Sequence, residues 1–174
     1  MAAVGRADNS DVNLTAAALA GDSAAFETLV RRHQAGVRAL ARRLAGTASD
    51  GDDIAQAAFL TAWRRRSTWR GGSFRGWVCA IAYREFLHLR RAVAPAELTD
   101  ETGAEDQPAE RLDLRRAFAA LEENERAAVA LCLGAGLSHS EAALAMNQPL
   151  GTVKSWVTRG RVKLQSALAA YAKA

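Results

Sequence analysis

Proline is scarce in this 174-residue chain, with Pro95, Pro108 and Pro149 the three instances. Glycine interrupts the rest at 13 positions, and Ala, Leu and Arg, leading helix formers, fill the stretches between. Such a chain predicts helices, and no segment reads as a strand. Large apolar side chains are thin as well: apolar types make up 49%, but 40 residues are Ala. Burial is therefore expected in several small helical cores rather than one large core. No run approaches ~18 consecutive apolar residues, which excludes a membrane-spanning helix. The opening MAAVGRADNSD has no apolar stretch behind basic residues, so no secretory signal is expected. Cys79 and Cys132 are too few for a disulfide framework. His33, His88 and His139 are scattered, and neither they nor the cysteines show metal-ligand spacing. No phosphate-cradling glycine loop follows a strand, and no acid–base or nucleophilic constellation occurs. The expectation is a soluble, cytoplasmic, non-enzymatic helical protein with no catalytic residue, cofactor or metal.

Charge is unevenly placed. Residues 1–91 hold 14 Arg against 8 acids, residues 92–110 hold six acids and no base, and residues 111–174 hold nine bases against five acids. Two basic bodies thus flank an acidic segment, AVAPAELTDETGAEDQPAE, which contains two of the three prolines and reads as a flexible, solvated linker. Of the 23 bases, 20 are Arg, the side chain suited to planar recognition of phosphate and guanine.

Periodicity places a short helix over 14–20, broken by Gly21-Asp22, and a longer one over 23–45. The latter buries Phe26, Leu29, Val30, His33, Val37, Leu40 and Leu44, and Gly46 ends it. Residues 52–66 repeat apolar pairs every four positions, leaving Asp52, Asp53, Gln56 and Leu60 on the outer side. Gly71-Gly72 enforces a loop, with Ser73 or Gly72 capping a helix over 74–91. Phe74, Trp77, Val78 and Ile81 lie on one side of that helix and Tyr83, Phe86 and Leu87 on the other. It is packed on both sides, or packed on one and used as an interface on the other. Further helices are expected near 110–121 and 124–134.

The C-terminal segment carries the clearest chemistry. Ser138-His139-Ser140-Glu141 fits a capping box, Asn147-Gln148-Pro149 ends a short helix, and a second follows. Burying Val153, Val157, Gly160, Leu164, Leu168 and Tyr171 turns Lys154, Ser155, Thr158, Arg159 and Arg161 outward. No acid occurs between 142 and 174. A short helix, a tight turn and a helix exposing cations and hydroxyls form a helix-turn-helix suited to a DNA groove.

Residues 63–91 interleave Trp63, Trp69, Phe74, Trp77 and Tyr83 with eight arginines. Aromatic faces stack unpaired bases while Arg tracks phosphates, so the mixture suits single-stranded nucleic acid. Trp63 and Trp77 are expected in the core, Trp69 and Phe74 beside a base. On residues alone, a helix-turn-helix repressor explains 137–170 and a protein-binding adaptor explains the apolar helix, but each leaves the other constellation unused.

Taken together, AALAGDSAAFETLVRRH, DGDDIAQAAFLTAW, SFRGWVCAIAYREFLHLRR and LSHSEAALAMNQPLGTVKSWVTRGRVKL resemble, in order and spacing, a bacterial extracytoplasmic-function (group IV) RNA polymerase sigma factor. The resemblance implies an all-α protein of two small helical domains joined by a flexible acidic linker. Residues 12–91 would bind core polymerase and recognise and melt the −10 element, 92–110 would be the linker, and 111–174 would read the −35 element. It places Asp52, Asp53, Gln56 and Leu60 against core RNA polymerase. Trp69, Ser73, Phe74, Arg84, His88, Arg90 and Arg91 fall at −10 promoter DNA, and Thr152, Lys154, Ser155, Thr158, Arg159 and Arg161 at −35 DNA. It also implies an anti-sigma factor, with the apolar 74–91 helix as part of the contact, and no membrane insertion. The sequence departs from the family at Ala57, where Glu is common, at Arg84 and His88, where Asn and Asp are common, and at Trp156, which replaces Arg; the melting loop is one residue short.

Overall fold

The computed structural model describes residues 9–92, 114 and 116–171, whose regular elements are all helical, with no strand among them. The N-terminal half comprises α1 (Asn9–Leu19), α2 (Ser23–Ala45), α3 (Ala48–Arg64), a 3₁₀ turn (Arg66–Thr68) and α4 (Phe74–Ala92). The C-terminal half comprises a helical stretch at 116–119, α5 (Glu123–Val129), a π-helical turn (Ala130–Gly134), α6 (His139–Met146) and α7 (Leu150–Tyr171). The acidic segment lies outside the described residues apart from Ala92.

Local chemistry sets the boundaries. Asp22 Oδ1 accepts from Ala24 N (2.9 Å) and Ala25 N (3.1 Å) to start α2, and Gly46 ends it in the left-handed region at φ 85°. Thr47 Oγ1 accepts from Asp50 N at 3.1 Å, so α3 begins at Ala48, ahead of the 52–66 stretch its apolar pattern marks. Helix α1 starts five residues earlier than its apolar pattern suggests. Asp11 anchors it to α2, bonding Arg32 Nη1 (2.8 Å) and His33 Nε2 (2.7 Å). His33 is thus a half-buried polar partner rather than a member of the apolar stripe.

Helices α2 and α3 approach closely at Gly51, where a Cβ would stand 2.6 Å from Arg42 Cα. Leu29, Val37, Leu40, Ala41 and Leu44 of α2 meet Ile54, Ala55, Ala58 and Ala62 of α3 in the core. Helix α4 is packed on both sides: Phe74, Val78 and Ile81 are buried, and so are Tyr83 and Phe86.

The second side of α4 is covered by the C-terminal half, and this departs from the expectation of separate small cores. Residues of α2, α3 and α4 form one continuous apolar cluster with Leu131, Leu137, Ala142, Met146, Val153 and Val157. A smaller cluster (Ala117, Leu121, Val129, Leu164) belongs to the C-terminal half alone. Polar contacts line the junction: Arg75 Nη2 lies 3.5 Å from Gly134 O, and Arg90 pairs with Glu123. Arg90 and Glu123 are both nearly half-exposed, so that pair contributes at most about 1 kcal/mol. Each fully buried large apolar side chain contributes roughly 1.5–3 kcal/mol. Apolar burial therefore holds the halves together. The apolar face expected to meet an anti-sigma factor is occupied here by the protein's own C-terminal half.

Candidate nucleic-acid and polymerase interfaces

The helix-turn-helix is built by its caps. Ser138 Oγ accepts from Glu141 N at 3.2 Å while Glu141 Oε2 accepts from Ser138 N at 2.8 Å, a complete capping box at the start of α6. Asn147 closes α6 in the left-handed region at φ 51°, a conformation Asn tolerates. Three residues later α7 begins, with Val153 N donating to Pro149 O at 3.2 Å.

Val153, Val157, Gly160 and Leu164 are buried on α7, a stripe with steps of four, three and four. Leu168, expected on the same face, is 37% exposed because α7 has outrun its partners there; the side chain of Tyr171 lies outside the described residues. Lys154, Ser155, Thr158, Arg159 and Arg161 are exposed, and Thr152 is half-buried at the edge. The structure thus leaves five of the six solvent-facing along α7, with Thr152 at the margin of the buried stripe. Ser155 Oγ donates to Gly151 O (3.0 Å) and Thr158 Oγ1 to Lys154 O (2.9 Å), which fixes both hydroxyls along the helix. Trp156 flanks the core rather than joining the outward face.

The aromatic segment divides. Phe74, read from sequence as beside a base, is 5% exposed and packs among Phe26, His33 and Trp77 with ring centroids 5.6–6.0 Å apart. It is a core residue here because it opens α4 on the side facing α2. Trp69 sits half-buried in the loop after the 3₁₀ turn, and its Nε1 is buried without a hydrogen-bond partner among the described residues. Trp63 packs on Phe26 at 5.0 Å and under the Arg66 guanidinium at 4.4 Å, as expected for a core flank. Gly71 and Gly72 adopt φ of 95° and 85°, which allows the chain to turn toward α4. Ser73 Oγ accepts from Gly76 N at 3.2 Å and so caps α4.

Arg84, His88 and Arg91 are exposed on α4, and spacings of four and three set them in one row. Arg90 falls off that row, lying 5.9 Å over the Phe86 ring and pairing with Glu123.

Between α2 and α3 runs a groove of ≈ 530 Å³ floored by Phe26, Val30, Phe59 and Trp63, with Gln34, Arg38, Asp53 and Gln56 at its edges. Asp53 and Gln56 are exposed, and Leu60 is 50% exposed. Spacings of three and four put these three in one row along α3. Asp52 also lines the groove, but its carboxylate accepts from Arg42 Nε (2.9 Å) and Nη2 (2.8 Å), with Arg38 Nε 3.4 Å away. The Arg42 hydrogen bonds hold the Asp52 carboxyl below the ordinary carboxylate range.

One buried charged residue escaped the sequence reading. Glu125 of α5 is 1% exposed and bonds Arg159 Nε (3.0 Å) and Lys163 Nζ (2.7 Å) of α7. Those bonds, Lys163 first, hold its carboxyl below the ordinary range. In sequence it passes for one of three acids opening a helix. Its register with Leu121, Ala128 and Cys132, at steps of four, three and four, is the signal that places it on an inward face.

Comparison with known proteins matches this geometry. Residues 29–94 fit the family model for sigma-70 region 2, and residues 111–164 the model for sigma-70 region 4. SigE of Mycolicibacterium smegmatis, an ECF RNA polymerase sigma factor, is 36% identical over 166 residues, taking in 86% of this chain and 65% of SigE. The ECF factor SigM of Mycobacterium tuberculosis is 36% identical over 167 residues, covering 92% and 85% of the two chains. Among solved structures, CnrH in complex with the cytosolic domain of CnrY aligns with TM-score 0.71 and 28% identity, over 92% of this chain and 98% of that one. RpoE in complex with the anti-sigma factor NepR from Bartonella quintana aligns with TM-score 0.67 and 25% identity, over 83% and 96%. Region 2 precedes region 4 on an all-helical frame, and the chain belongs to the extracytoplasmic-function family of RNA polymerase sigma factors, which are transcription initiation factors.

Proposed function

We propose that this protein binds core RNA polymerase and directs it to promoters by recognising −10 and −35 elements, under the control of an anti-sigma factor. The observation that carries the reading is the outward face of α7. A capped turn sets this helix on a buried stripe, so that Thr152, Lys154, Ser155, Thr158, Arg159 and Arg161 reach a −35 major groove together. The row Asp53, Gln56 and Leu60 beside the apolar α2–α3 groove, with Asp52 held by Arg42, fits a helical partner of core polymerase. Trp69, Ser73 and the row Arg84, His88 and Arg91 serve the −10 element. Arg90 joins them once the junction between the halves opens and frees it from Glu123, while Phe74, packed on Phe26 and His33 within the N-terminal half, backs this surface from the core.

The division into a core-binding and −10 domain (12–91), an acidic linker (92–110) and a −35 domain (111–174) follows from the same reading. Its place of action is the cytoplasm, where polymerase works, and its role is not enzymatic. No helix among the described residues is long and apolar enough to cross a membrane. CnrH and RpoE, two solved relatives, are each seen in complex with a second protein, in RpoE's case an anti-sigma factor. That supports a partner of the same kind, which would bind with the halves closed or displace the C-terminal half from α4.

Run-off transcription with purified core polymerase and fragmented genomic DNA tests the reading. New start sites that share two upstream elements and vanish with Lys154→Ala are expected. Absence of core binding and of new starts, with duplex binding intact, would overturn it in favour of a polymerase-independent repressor.

A further inference from the structure

Glu125 is the most enclosed charged residue described, at 1% exposure, and it faces the helix assigned to DNA. Helices α5 and α7 touch at Gly160, where a Cβ would stand 2.6 Å from Val129 Cγ2. One turn from that contact, the Glu125 carboxylate spans two cations four residues apart on α7, Oε1 taking Arg159 Nε and Oε2 taking Lys163 Nζ. The side chains of Arg159 and Lys163 are themselves 57% and 45% exposed. The carboxylate is therefore roofed by its own partners rather than sunk in the apolar core. An enclosed ion cluster of this kind adds little stability over an apolar side chain of similar size. What it does supply is orientation. A planar guanidinium bonded through Nε has its plane fixed, and no other partner of Arg159 occurs among the described residues. Its terminal nitrogens form the fork that pairs with guanine O6 and N7. Lys163 is also 3.6 Å from Glu122, so its charge is answered from below.

We propose that Glu125 is a positioning residue of the DNA interface: it holds Arg159 as a fixed fork and neutralises one charge of the Arg159–Lys163 pair, favouring sequence readout over indiscriminate phosphate binding. The inference rests on the assignment of α7 to duplex DNA.

The test uses the full chain and two probes, a mixed-sequence duplex and the duplex carrying the upstream element recovered by the run-off mapping. Binding is followed by fluorescence anisotropy across a salt series. Glu125→Gln keeps size and an acceptor but removes the charge. Its salt slope on the mixed-sequence duplex should steepen by about 0.9, the increment for one more phosphate contact. Its preference for the promoter duplex should fall on the order of tenfold, the value of one good bidentate pair. In an Arg159→Ala background the same change should leave the preference where Arg159→Ala put it, because Glu125 acts through Arg159. Arg159→Lys keeps Glu125 paired but loses the fork. It should reproduce the lost preference with an unchanged slope, and it decides the matter if Glu125→Gln fails to fold. An unchanged slope and preference in folded Glu125→Gln, or a further loss in the Arg159→Ala background, would overturn the proposal. A wild-type protein without preference between the duplexes would overturn the assignment of α7 itself, and this inference with it.

Discussion

Gly51 makes a sharp prediction because the same substitution elsewhere in the chain should have the opposite sign. A Cβ there would meet Arg42 Cγ at 2.5 Å, Cα at 2.6 Å and N at 2.7 Å. Carbon contacts prefer about 3.5–4.0 Å, so the overlap is about 1 Å. Two of the three atoms are backbone and cannot rotate away, so α2 and α3 must move apart. Overpacking of this kind costs about 1–3 kcal/mol, and the rigid neighbours put Gly51→Ala at the upper end. Replacing Gly by Ala within a helix returns roughly 1 kcal/mol, which leaves a net loss of about 2 kcal/mol. For a chain of this size that corresponds to a fall in Tm of about 4–8 °C. Gly151, near the start of α7, has no atom within 4 Å of its would-be Cβ. Gly151→Ala should therefore raise Tm, by up to about 4 °C. Thermal unfolding followed by circular dichroism decides the pair. If Gly51→Ala left Tm unchanged or raised it, the close approach of α2 and α3 would be refuted.

Other outcomes follow from the caps and titratable groups. Ser138→Ala removes the hydroxyl half of the capping box and should cost about 1 kcal/mol, with faster amide exchange localised to α6. Asp52 and Glu125 both have folded-state pKa values lowered by cationic hydrogen bonds. Their stabilisation is complete above the unfolded carboxylate range and is lost as pH falls through the lowered values. The urea midpoint should hold steady near neutrality and drop below about pH 4, and Glu125→Gln should flatten part of that drop. Burial raises the Cys79 and Cys132 thiols to about 11. Alkylation at pH 8 should be slow for both and slower for Cys79, which is fully buried, becoming fast only in denaturant; rapid labelling of Cys79 in native protein would contradict the packing around α4.

Much of this architecture is legible in the sequence, for identifiable reasons. Strong periodicity with a capping signal at each end gives α2 and the helix-turn-helix, since Asp22, Gly46, Ser138 and Asn147 do locally what their types favour. The outward row of α7 follows once its buried stripe is known. Tertiary effects are less visible. Helix α1 extends to Asn9 because Asp11 meets Arg32 and His33 on another helix, a contact no local window contains. The region expected as a helix over 124–134 widens into a π turn at Ala130–Gly134, where Ala135 N and Leu137 N bond back to Ala130 O and Leu131 O. Phe74 looked available beside a glycine loop, yet one turn of α4 carries it inward. The two apolar sides of α4 foretold double packing but did not identify the second partner, because Ala-rich α6 carries little amphipathic signal of its own.

If α7 enters a DNA groove as proposed, its hydroxyls carry a consequence for the code it would read. A hydroxyl has one proton, and Ser155 and Thr158 have each given theirs to a carbonyl one turn back. Toward a groove they present lone pairs alone. Base edges that donate, adenine N6 and cytosine N4, therefore suit these two positions, while guanine N7 and O6 are left to Lys154, Arg159 and Arg161. On that division of labour, alternating acceptors and donors along one helical face would favour an element mixing A or C with G over a run of any single base.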